Sequence, residues 1–163
     1  MIPVMKQNST QALDAVESIF KTMDWSYERK CNPNGVFTGF KLDPKNNAHI
    51  VIMPDDNGTS LLMGCSYHFT APKGQVGKFR RFFEKEAMDI NGLSIQFNPA
   101  RGVRLSTRCW LPQFDLCPED LVALIEPYFR GMMHTVTHLY PELIKMLRHH
   151  ERIKPQDDFH LPS

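Results

Sequence analysis

Residues 36–69 read VFTGFKLDPKNNAHIVIMPDDNGTSLLMGCSYHF, and hydrophobic residues alternate with other residues through much of this segment. Such alternation is typical of strands in a sheet with one better-buried face, and it predicts strands at about 36–42, 48–53 and 61–69. Residues 55–58, Asp-Asp-Asn-Gly, are a strong turn signal because Asn and Gly tolerate positive φ angles. The segment therefore predicts an antiparallel meander.

The chain upstream of this segment adds one strand and one helix. An Asn-Pro-Asn-Gly turn at residues 32–35 follows an extended run that begins near Trp25, so the meander has about four strands. Before it, apolar residues recur at helical spacing. Asn8 and Ser9 are predicted to cap this first helix, which is expected to end near Asp24.

Downstream of the meander, helical spacing returns and a hairpin follows. A second amphipathic helix is predicted from about Val76, with apolar positions through Ala87, and it is expected to end near Asn91-Gly92. Two further extended runs, at about 93–98 and 103–111, are separated by a turn around residues 99–102. A two-strand hairpin is expected there.

A long C-terminal helix completes the predicted fold. It opens at Pro118, where the amide that proline lacks is not needed, and its apolar stripe continues for about seven turns. Pro127 and Pro141 are predicted to kink this helix or to break it into shorter helices. The order helix, four-strand antiparallel meander, helix, two-strand hairpin and long helix defines an α+β fold. Its core is expected over about residues 9–148, with residues 149–163 as a peripheral tail that is frayed or docked.

The composition is that of an ordinary globular protein with little net charge. In 163 residues, 19 Lys and Arg against 18 Asp and Glu give a formal net charge of +1. Nucleic-acid and membrane-surface binding depend on many basic groups, so we expect neither as the main role. The N-terminal residues lack the pattern of a leader peptide, and no apolar run is near the roughly 18 residues that cross a bilayer, so we expect neither a leader nor a membrane span. A single cytoplasmic domain over residues 1–163 is therefore expected.

Few groups in the sequence point to catalysis or metal binding. The four cysteines form no C-x-x-C pair, and phosphate-loop and nucleophile-elbow motifs are absent. His134 and His138 have the spacing of zinc-binding helices, but Thr135 replaces the glutamate of that motif and no third ligand is evident. Cys117 at a helix N-terminus could have a lowered pKa, although a capping role with Asp120 is more common. We expect no catalytic residue, no cofactor and no metal.

A local excess of basic residues lies between residues 73 and 108. This segment has eight Lys and Arg residues against three acidic ones, a local charge of +5. Such an excess suits an acidic partner, although the charges are spread over a helix and a hairpin. The predicted basic patch consists of Lys78, Arg81, Lys85, Arg101 and Arg104.

The C-terminal half carries four short motifs. They are Ile90-Asn91-Gly92 before a strand, Arg101-Gly102-Val103 in a turn, Leu116-Cys117-Pro118-Glu119-Asp120-Leu121 at a helix start, and Leu139-Tyr140-Pro141-Glu142-Leu143 near its end. This pattern resembles the YbjN family of bacterial proteins, often labelled sensory transduction regulators. The resemblance is clearest over about residues 75–148, and the order of elements extends it to residues 9–148. Cys117 departs from the pattern, because serine or threonine leads the final helix in that family.

The resemblance implies a fold similar to class I type III secretion chaperones, which commonly dimerise, and it implies no known catalytic residues. The apolar stripe of the last helix is also wider than one sheet face is expected to cover. We therefore expect a non-enzymatic, regulatory or chaperone-like homodimer that binds a protein partner through a groove or sheet edge. The candidate partner or dimer surface is Tyr128, Met132, Val136, Leu139, Tyr140 and Leu143.

One alternative stays open at this point. A small ligand-binding protein or enzyme could use a pocket between the sheet and the C-terminal helix. Its polar groups would come from His134, His138 or Cys117. Bound metal or a Cys117 thiol with a lowered pKa would favour it.

Overall fold

The computed structural model describes residues 2–44, 46–88 and 92–153, which contain three helices and six strands. The elements are α1 (Ile2–Thr22), β1 (Glu28–Cys31), β2 (Asn34–Asp43), β3 (Asn46–Pro54), β4 (Ser60–His68), α2 (Val76–Met88), β5 (Ser94–Asn98), β6 (Gly102–Trp110) and α3 (Pro118–Ile153). This is the order predicted from the sequence. The α+β fold class is confirmed.

The six strands form one antiparallel sheet with the order β1-β2-β3-β4-β6-β5. Because side chains alternate between the two faces of each strand, the register brings Ile50, Cys65 and Leu105 side by side on one face. All three are buried in the core that α1 and α3 form with the sheet. This face of the sheet is therefore the core face.

α2 covers the β5 end of the same face. The rings of Phe79 and Phe83 pack on Phe97 of β5, with centroid separations of 6.4 and 5.1 Å. Phe97 is paired with Val103, which is buried on the core face. The three helices therefore share one face of the sheet.

α1 starts earlier than the sequence predicts. It begins at Ile2, so Asn8 and Ser9 lie inside the helix, and the predicted cap at these two residues is wrong. Pro3 fits the earlier start, because the first turn of a helix does not use the amide that proline lacks. At the other end, Asp24 has a left-handed φ of 58°, a conformation that closes the C-terminus of a helix.

α3 is one continuous helix of 36 residues that contains both Pro127 and Pro141. The predicted break into shorter helices is therefore wrong. Each proline removes one backbone hydrogen bond, but both prolines are exposed and do not disturb the packed side of the helix. Buried residues such as Phe129 and Leu143 hold the helix on the core beyond each proline.

The predicted C-terminal tail and the Ile90-Asn91-Gly92 motif lie partly outside the described residues. Residues 149–153, predicted as part of a peripheral tail, continue α3. The rest of that tail, residues 154–163, lies outside the described residues, as do residues 89–91, which include Ile90 and Asn91. These three residues separate Met88, where α2 ends, from Gly92, near which the sequence predicts its end. Within the described ranges, no helix combines the length and the hydropathy that a membrane span requires.

Candidate interaction surfaces

The face of the sheet opposite the core carries no helix in the described part of the chain, and we call it the open face. Its side chains are those that alternate with the core residues along each strand. On β3 and β4, for example, Val51 is paired with Gly64 and Met53 with Leu62 on this face. The open face is therefore a surface formed by side chains of neighbouring strands of the six-stranded sheet.

Five apolar side chains cross the open face obliquely from β2 to β6. Strand pairing joins Phe37 to Val51 and Met53 to Leu62, and Trp110 is a diagonal neighbour of Leu62. Leu62 is 37% exposed and Trp110 is 62% exposed, whereas the other three are half-buried. The five residues are Phe37, Val51, Met53, Leu62 and Trp110, and we call them the apolar diagonal.

Two glycines allow long side chains to lie flat on the open face. A Cβ atom at Gly35 would lie 2.8 Å from Cγ of Met53, so the Met53 side chain occupies the space that a larger residue would fill. At Gly64, a Cβ atom would lie 3.0 Å from Nε and Nη2 of Arg104. The two glycines therefore let Met53 and Arg104 cover neighbouring strands and form part of a continuous surface.

Cations flank both ends of the apolar diagonal. Nζ of Lys30 lies 5.0 Å from the ring centroid of Phe37, and Cζ of Arg108 lies 5.1 Å from the ring centroid of Trp110. Both distances are within the range of cation–π attraction. With Arg104, these residues make the open face apolar in the middle and positively charged around it.

Asp55 orders the turn beside the Trp110 end of the open face. Its carboxylate accepts hydrogen bonds from the Thr59 amide at 2.8 Å, the Thr59 hydroxyl at 2.7 Å and the Ser60 hydroxyl at 2.8 Å. Burial acts to raise the pKa of Asp55, but the hydrogen bonds from Thr59 and Ser60 outweigh it and lower the pKa to about 2. Arg108 Nη1 lies 3.4 Å from the same carboxylate and 2.8 Å from the Ser60 hydroxyl oxygen. The turn thus fixes Arg108 beside Trp110.

A second candidate surface is an apolar groove between β2 and the C-terminal half of α3, which we call the β2–α3 groove. Its volume is about 320 Å³. β1 pairs with residues 34–37 of β2 only, and in the described ranges no strand pairs with the same edge of residues 38–43. The groove is lined by Phe40, Leu42, Val136, Thr137, Pro141, Ile144, Lys145 and Arg148.

A third surface lies on the other side of α3, where the helix passes the β5–β6 hairpin, and we call it the Tyr128 hollow. Its volume is about 370 Å³. Tyr128 is 39% exposed, and among the described residues Arg108 is the one charged residue that lines the hollow. The hollow is lined by Gly92, Leu93, Thr107, Arg108, Pro127, Tyr128, Gly131, Met132 and Thr135.

The predicted partner surface on the last helix is mostly internal. Tyr128 is accessible, but the other five residues of the predicted set are buried, because the helix presses its apolar stripe against α1 and the sheet of the same chain. In this conformation these five side chains are packed within their own chain. They are Met132, Val136, Leu139, Tyr140 and Leu143.

The predicted basic patch is divided between elements. Lys78, Arg81 and Lys85 are exposed on α2, which packs on the core face of the sheet. Arg101 is exposed in the turn between β5 and β6, and Arg104 lies on the open face. Arg104 therefore lies on the same face of the sheet as Lys30 and Arg108, and on the opposite face from the basic residues of α2. None of the apolar diagonal is among the residues predicted from the sequence.

The candidate chemical groups do not converge on a pocket. His134 and His138 are both exposed with ring centroids 4.6 Å apart, and no cluster of three His, Cys, Asp or Glu residues suited to a metal occurs in the described ranges. At the exposed Cys117, the Asp120 amide acts to lower the thiol pKa. The Asp120 and Glu119 side chains and desolvation act against it, and the pKa is raised overall. His134, His138 and Cys117 line neither the β2–α3 groove nor the Tyr128 hollow.

Comparison with known proteins identifies the fold alone. No protein-family model matches the chain, and no curated protein matches it by sequence. Among solved structures, the chain is similar to the crystal structure of YbjN from E. coli, described as "a putative transcription regulator", with a TM-score of 0.52 and 9% identity. The match covers 80% of this chain and 93% of that one. The fold is therefore YbjN-like.

Proposed function

We propose that this protein is a non-enzymatic binding module with a regulatory or chaperone-like role, that it acts as a homodimer, and that a protein partner docks on its open face. The YbjN-like fold supports a regulatory or binding role in general terms. The choice of surface rests on the residues of the open face.

The observation that carries the proposal is the exposed apolar diagonal on an uncovered sheet face. A contiguous apolar surface with a polar rim is typical of interaction sites, because its burial removes water from hydrocarbon. Trp110 and Leu62 are its most exposed members, and tryptophan is prominent among residues that dominate binding energy. A broad sheet face accommodates a segment of another protein better than it encloses a small molecule.

The charges of the open face define the partner further. Lys30, Lys41, Arg104 and Arg108 lie on it, and two of them are near carboxylates: Lys30 is 3.9 Å from Glu28, and Arg108 is 3.4 Å from Asp55 of the adjoining turn. The cations outnumber these two carboxylates. A partner segment with apolar and acidic side chains would complement this surface. Two open faces brought together would place cations opposite cations, so we assign the homodimer contact to the Tyr128 hollow instead.

Site-specific photo-crosslinking tests the docking surface. A photoreactive amino acid replaces Leu62 in one variant and the exposed His138 of α3 in the control, and both are irradiated in cells. We expect a discrete protein adduct from position 62 and none of the same mass from position 138. The partner is then identified, purified and titrated against the wild-type chain and against Trp110→Glu.

Further variants separate the open face from general surface hydrophobicity. Phe114 is 65% exposed in the loop after β6, so Phe114→Glu is a control of equal chemical change for Trp110→Glu. We expect Trp110→Glu to weaken partner binding by about tenfold or more and Phe114→Glu to change it little. Equal losses in the two variants would contradict docking on the apolar diagonal. Adducts to nucleic acid with affinity falling steeply with salt would replace the proposal by a nucleic-acid role.

A further inference from the structure

The part of the open face beyond the apolar diagonal carries a group of polar side chains, which we call the Ser66 cluster. Strand pairing places Ser66 of β4 directly between His49 of β3 and Arg104 of β6. His68 follows Ser66 by two residues and therefore lies on the same face, and its ring centroid is 5.7 Å from that of His49. The Ser66 cluster consists of His49, Ser66, His68 and Arg104.

The cluster has a small residue at its centre and longer side chains around it. Ser66 is half-buried, whereas His49, His68 and Arg104 are exposed. Opposed residues on neighbouring strands have Cβ atoms about 5 Å apart, and residues two positions apart on one strand are separated by about 7 Å. The three longer side chains are therefore close enough together to contact one small group bound over Ser66.

The guanidinium of Arg104 already lies on the sheet. A Cβ atom at Gly64 would lie 3.0 Å from Nε and Nη2 of Arg104, and Gly64 is buried, so the arginine side chain covers this glycine. Gly64 precedes Ser66 by two residues, which places the guanidinium beside the Ser66 hydroxyl. Since the side chain does not extend into solvent, it loses less conformational freedom when it binds an anion.

The surroundings of the Ser66 cluster contain little negative charge. The sequences of β3, β4, β5 and β6 include no Asp or Glu. Lys30 and Arg108, beside the apolar diagonal, lie 3.9 and 3.4 Å from carboxylates. Arg104, in contrast, forms no ion pair with any residue in the described part of the chain. An anion bound at Arg104 therefore has no carboxylate of these four strands as a competitor.

We propose that the Ser66 cluster binds a phosphate monoester, and that this group is a phosphorylated side chain of the partner segment that docks on the open face. A phosphate monoester carries a charge of about −1.5 to −2 at pH 7 and has three strong acceptor oxygens. Arg104 offers a planar fork of N–H donors, each imidazole has at least one N–H, and the Ser66 hydroxyl is a further donor. Phosphate recognition in this form rests on the proposed function, because it identifies a chemical group of that partner.

The position of the cluster favours a protein segment as the source of the phosphate. Leu62 of the apolar diagonal and Ser66 are four residues apart on β4, which is about 13 Å. An extended partner chain covers this distance in about four residues, so its apolar residue and its phosphorylated residue should have that spacing. Nucleic-acid binding depends on many cations along a phosphate backbone, whereas the cluster offers one arginine and two histidines.

Nuclear magnetic resonance with inorganic phosphate and with phenyl phosphate tests the site itself. When either probe is added to the full chain at constant ionic strength, we expect saturable shifts of the His49 and His68 ring signals and of the Arg104 Nε–H signal. The exposed His134 and His138 are the internal reference and should shift little. Equal shifts of these four histidines without saturation would overturn the proposal.

Substitutions at exposed positions assign the binding to the cluster. Arg104→Met and His68→Ala should each weaken the binding of phenyl phosphate by about tenfold, because each removes hydrogen-bond donors. Arg81→Met, with the same chemical change on α2, is the matched control and should leave binding unchanged. Circular dichroism checks that the variants fold. Unchanged binding in either Arg104→Met or His68→Ala would overturn the assignment.

Photo-crosslinking in lysate tests whether the phosphate belongs to a protein partner. A photoreactive amino acid at position 62 is irradiated in lysate with and without prior phosphatase treatment. We expect the protein adduct to decrease about tenfold after phosphatase treatment, and to decrease equally in untreated lysate when Arg104→Met is added. Arg81→Met should keep the adduct.

This experiment separates the phosphate site from the docking surface. An adduct of equal intensity with and without phosphatase would overturn the phosphate proposal and leave docking on the open face intact. No adduct in either lysate would contradict the docking surface, and phenyl phosphate binding that persisted would then indicate a free phosphorylated compound, which also overturns the proposal. An oligonucleotide that displaces phenyl phosphate, with an affinity that falls steeply with salt, would overturn it in favour of nucleic acid.

Discussion

The hydroxyl of Tyr140 donates a hydrogen bond to the backbone carbonyl of Cys65 over 3.2 Å, and both side chains are fully buried. This bond joins the middle of α3 to β4 in the centre of the sheet. Burial raises the pKa of the Tyr140 hydroxyl, with a further contribution from Cys65, so the group stays a neutral donor. Burial likewise raises the pKa of the Cys65 thiol to about 11. The contact is thus uncharged at physiological pH.

Removing this donor should destabilise the protein without changing its fold. For Tyr140→Phe we expect a loss of about 0.5–1.5 kcal/mol in the free energy of unfolding, because a buried hydrogen bond disappears while the ring is kept. Urea unfolding followed by circular dichroism measures the change. Tyr128→Phe is the control, since the Tyr128 side chain is partly exposed, and it should change stability by less. Equal effects in the two variants would contradict a structural role for the Tyr140 bond.

The Asp55 turn predicts a loss of stability in acid. The pKa of Asp55 is about 2 in the folded protein, below its ordinary value of 3.8, so the ionised carboxylate stabilises the fold above about pH 4. This contribution should fade as the pH falls from about 4 towards 2, where the folded state also takes up the proton. Unfolding measured at a series of pH values should show Asp55→Asn less stable than wild type at pH 7, with the difference shrinking below pH 4. Asp56→Asn, at an exposed turn position, should show no such convergence.

The sequence predicted the fold largely because each element has a local cause. Alternation in β2 and the Asn57-Gly58 turn mark the meander, and helical spacing marks the three helices. The sequence does not mark the start of α1 correctly. Asn and Ser favour N-cap positions but also occur inside helices, so Asn8 and Ser9 do not identify the first turn. The continuity of α3 was missed because the packing that outweighs two prolines is tertiary.

The candidate surfaces could be predicted only in part, because an apolar side chain gives the same sequence signal whether it meets its own sheet or another protein. Met132 and Val136 belong to the core for this reason, although they form one stripe with the exposed Tyr128. Conversely, Leu62 and Trp110 follow the alternation of a strand. Nothing local to them indicates that no helix within residues 2–44, 46–88 and 92–153 covers the open face. The way in which the helices and the sheet are layered determines whether each of these residues is buried or exposed, and this layering depends on residues far apart in the chain.

Gly131 offers a stabilising substitution. It lies in the interior of α3, and a Cβ atom added there would have no heavy atom within 4 Å apart from its chain neighbours and the nearby backbone of the helix itself. Gly131→Ala should raise the free energy of unfolding by about 0.5–1 kcal/mol, since glycine is the poorer helix former. Gly102→Ala should do the opposite and cost about 1–3 kcal/mol, because Gly102 has a φ of 118° and its Cβ would overlap the carbonyl of Tyr67. Thermal unfolding of both variants checks the contrast, and a destabilised Gly131→Ala would contradict the open space at that position.

The proposed homodimer contact at the Tyr128 hollow predicts a specific loss of association. Tyr128 offers an exposed aromatic ring beside a hollow with little charge, and tyrosine in such a setting is typical of residues that dominate an interface. Light scattering on the wild-type chain should give twice the 18.8 kDa mass, and Tyr128→Glu should raise the dimer dissociation constant by roughly 30-fold, because a charge would be buried against apolar surface. Phe114→Glu, which introduces the same charge at another exposed aromatic residue, should leave the dimer intact. A wild-type monomer at all concentrations would contradict the homodimer itself. A dimer unaffected by Tyr128→Glu would show that its interface lies elsewhere, and would contradict the assignment of the dimer contact to the Tyr128 hollow.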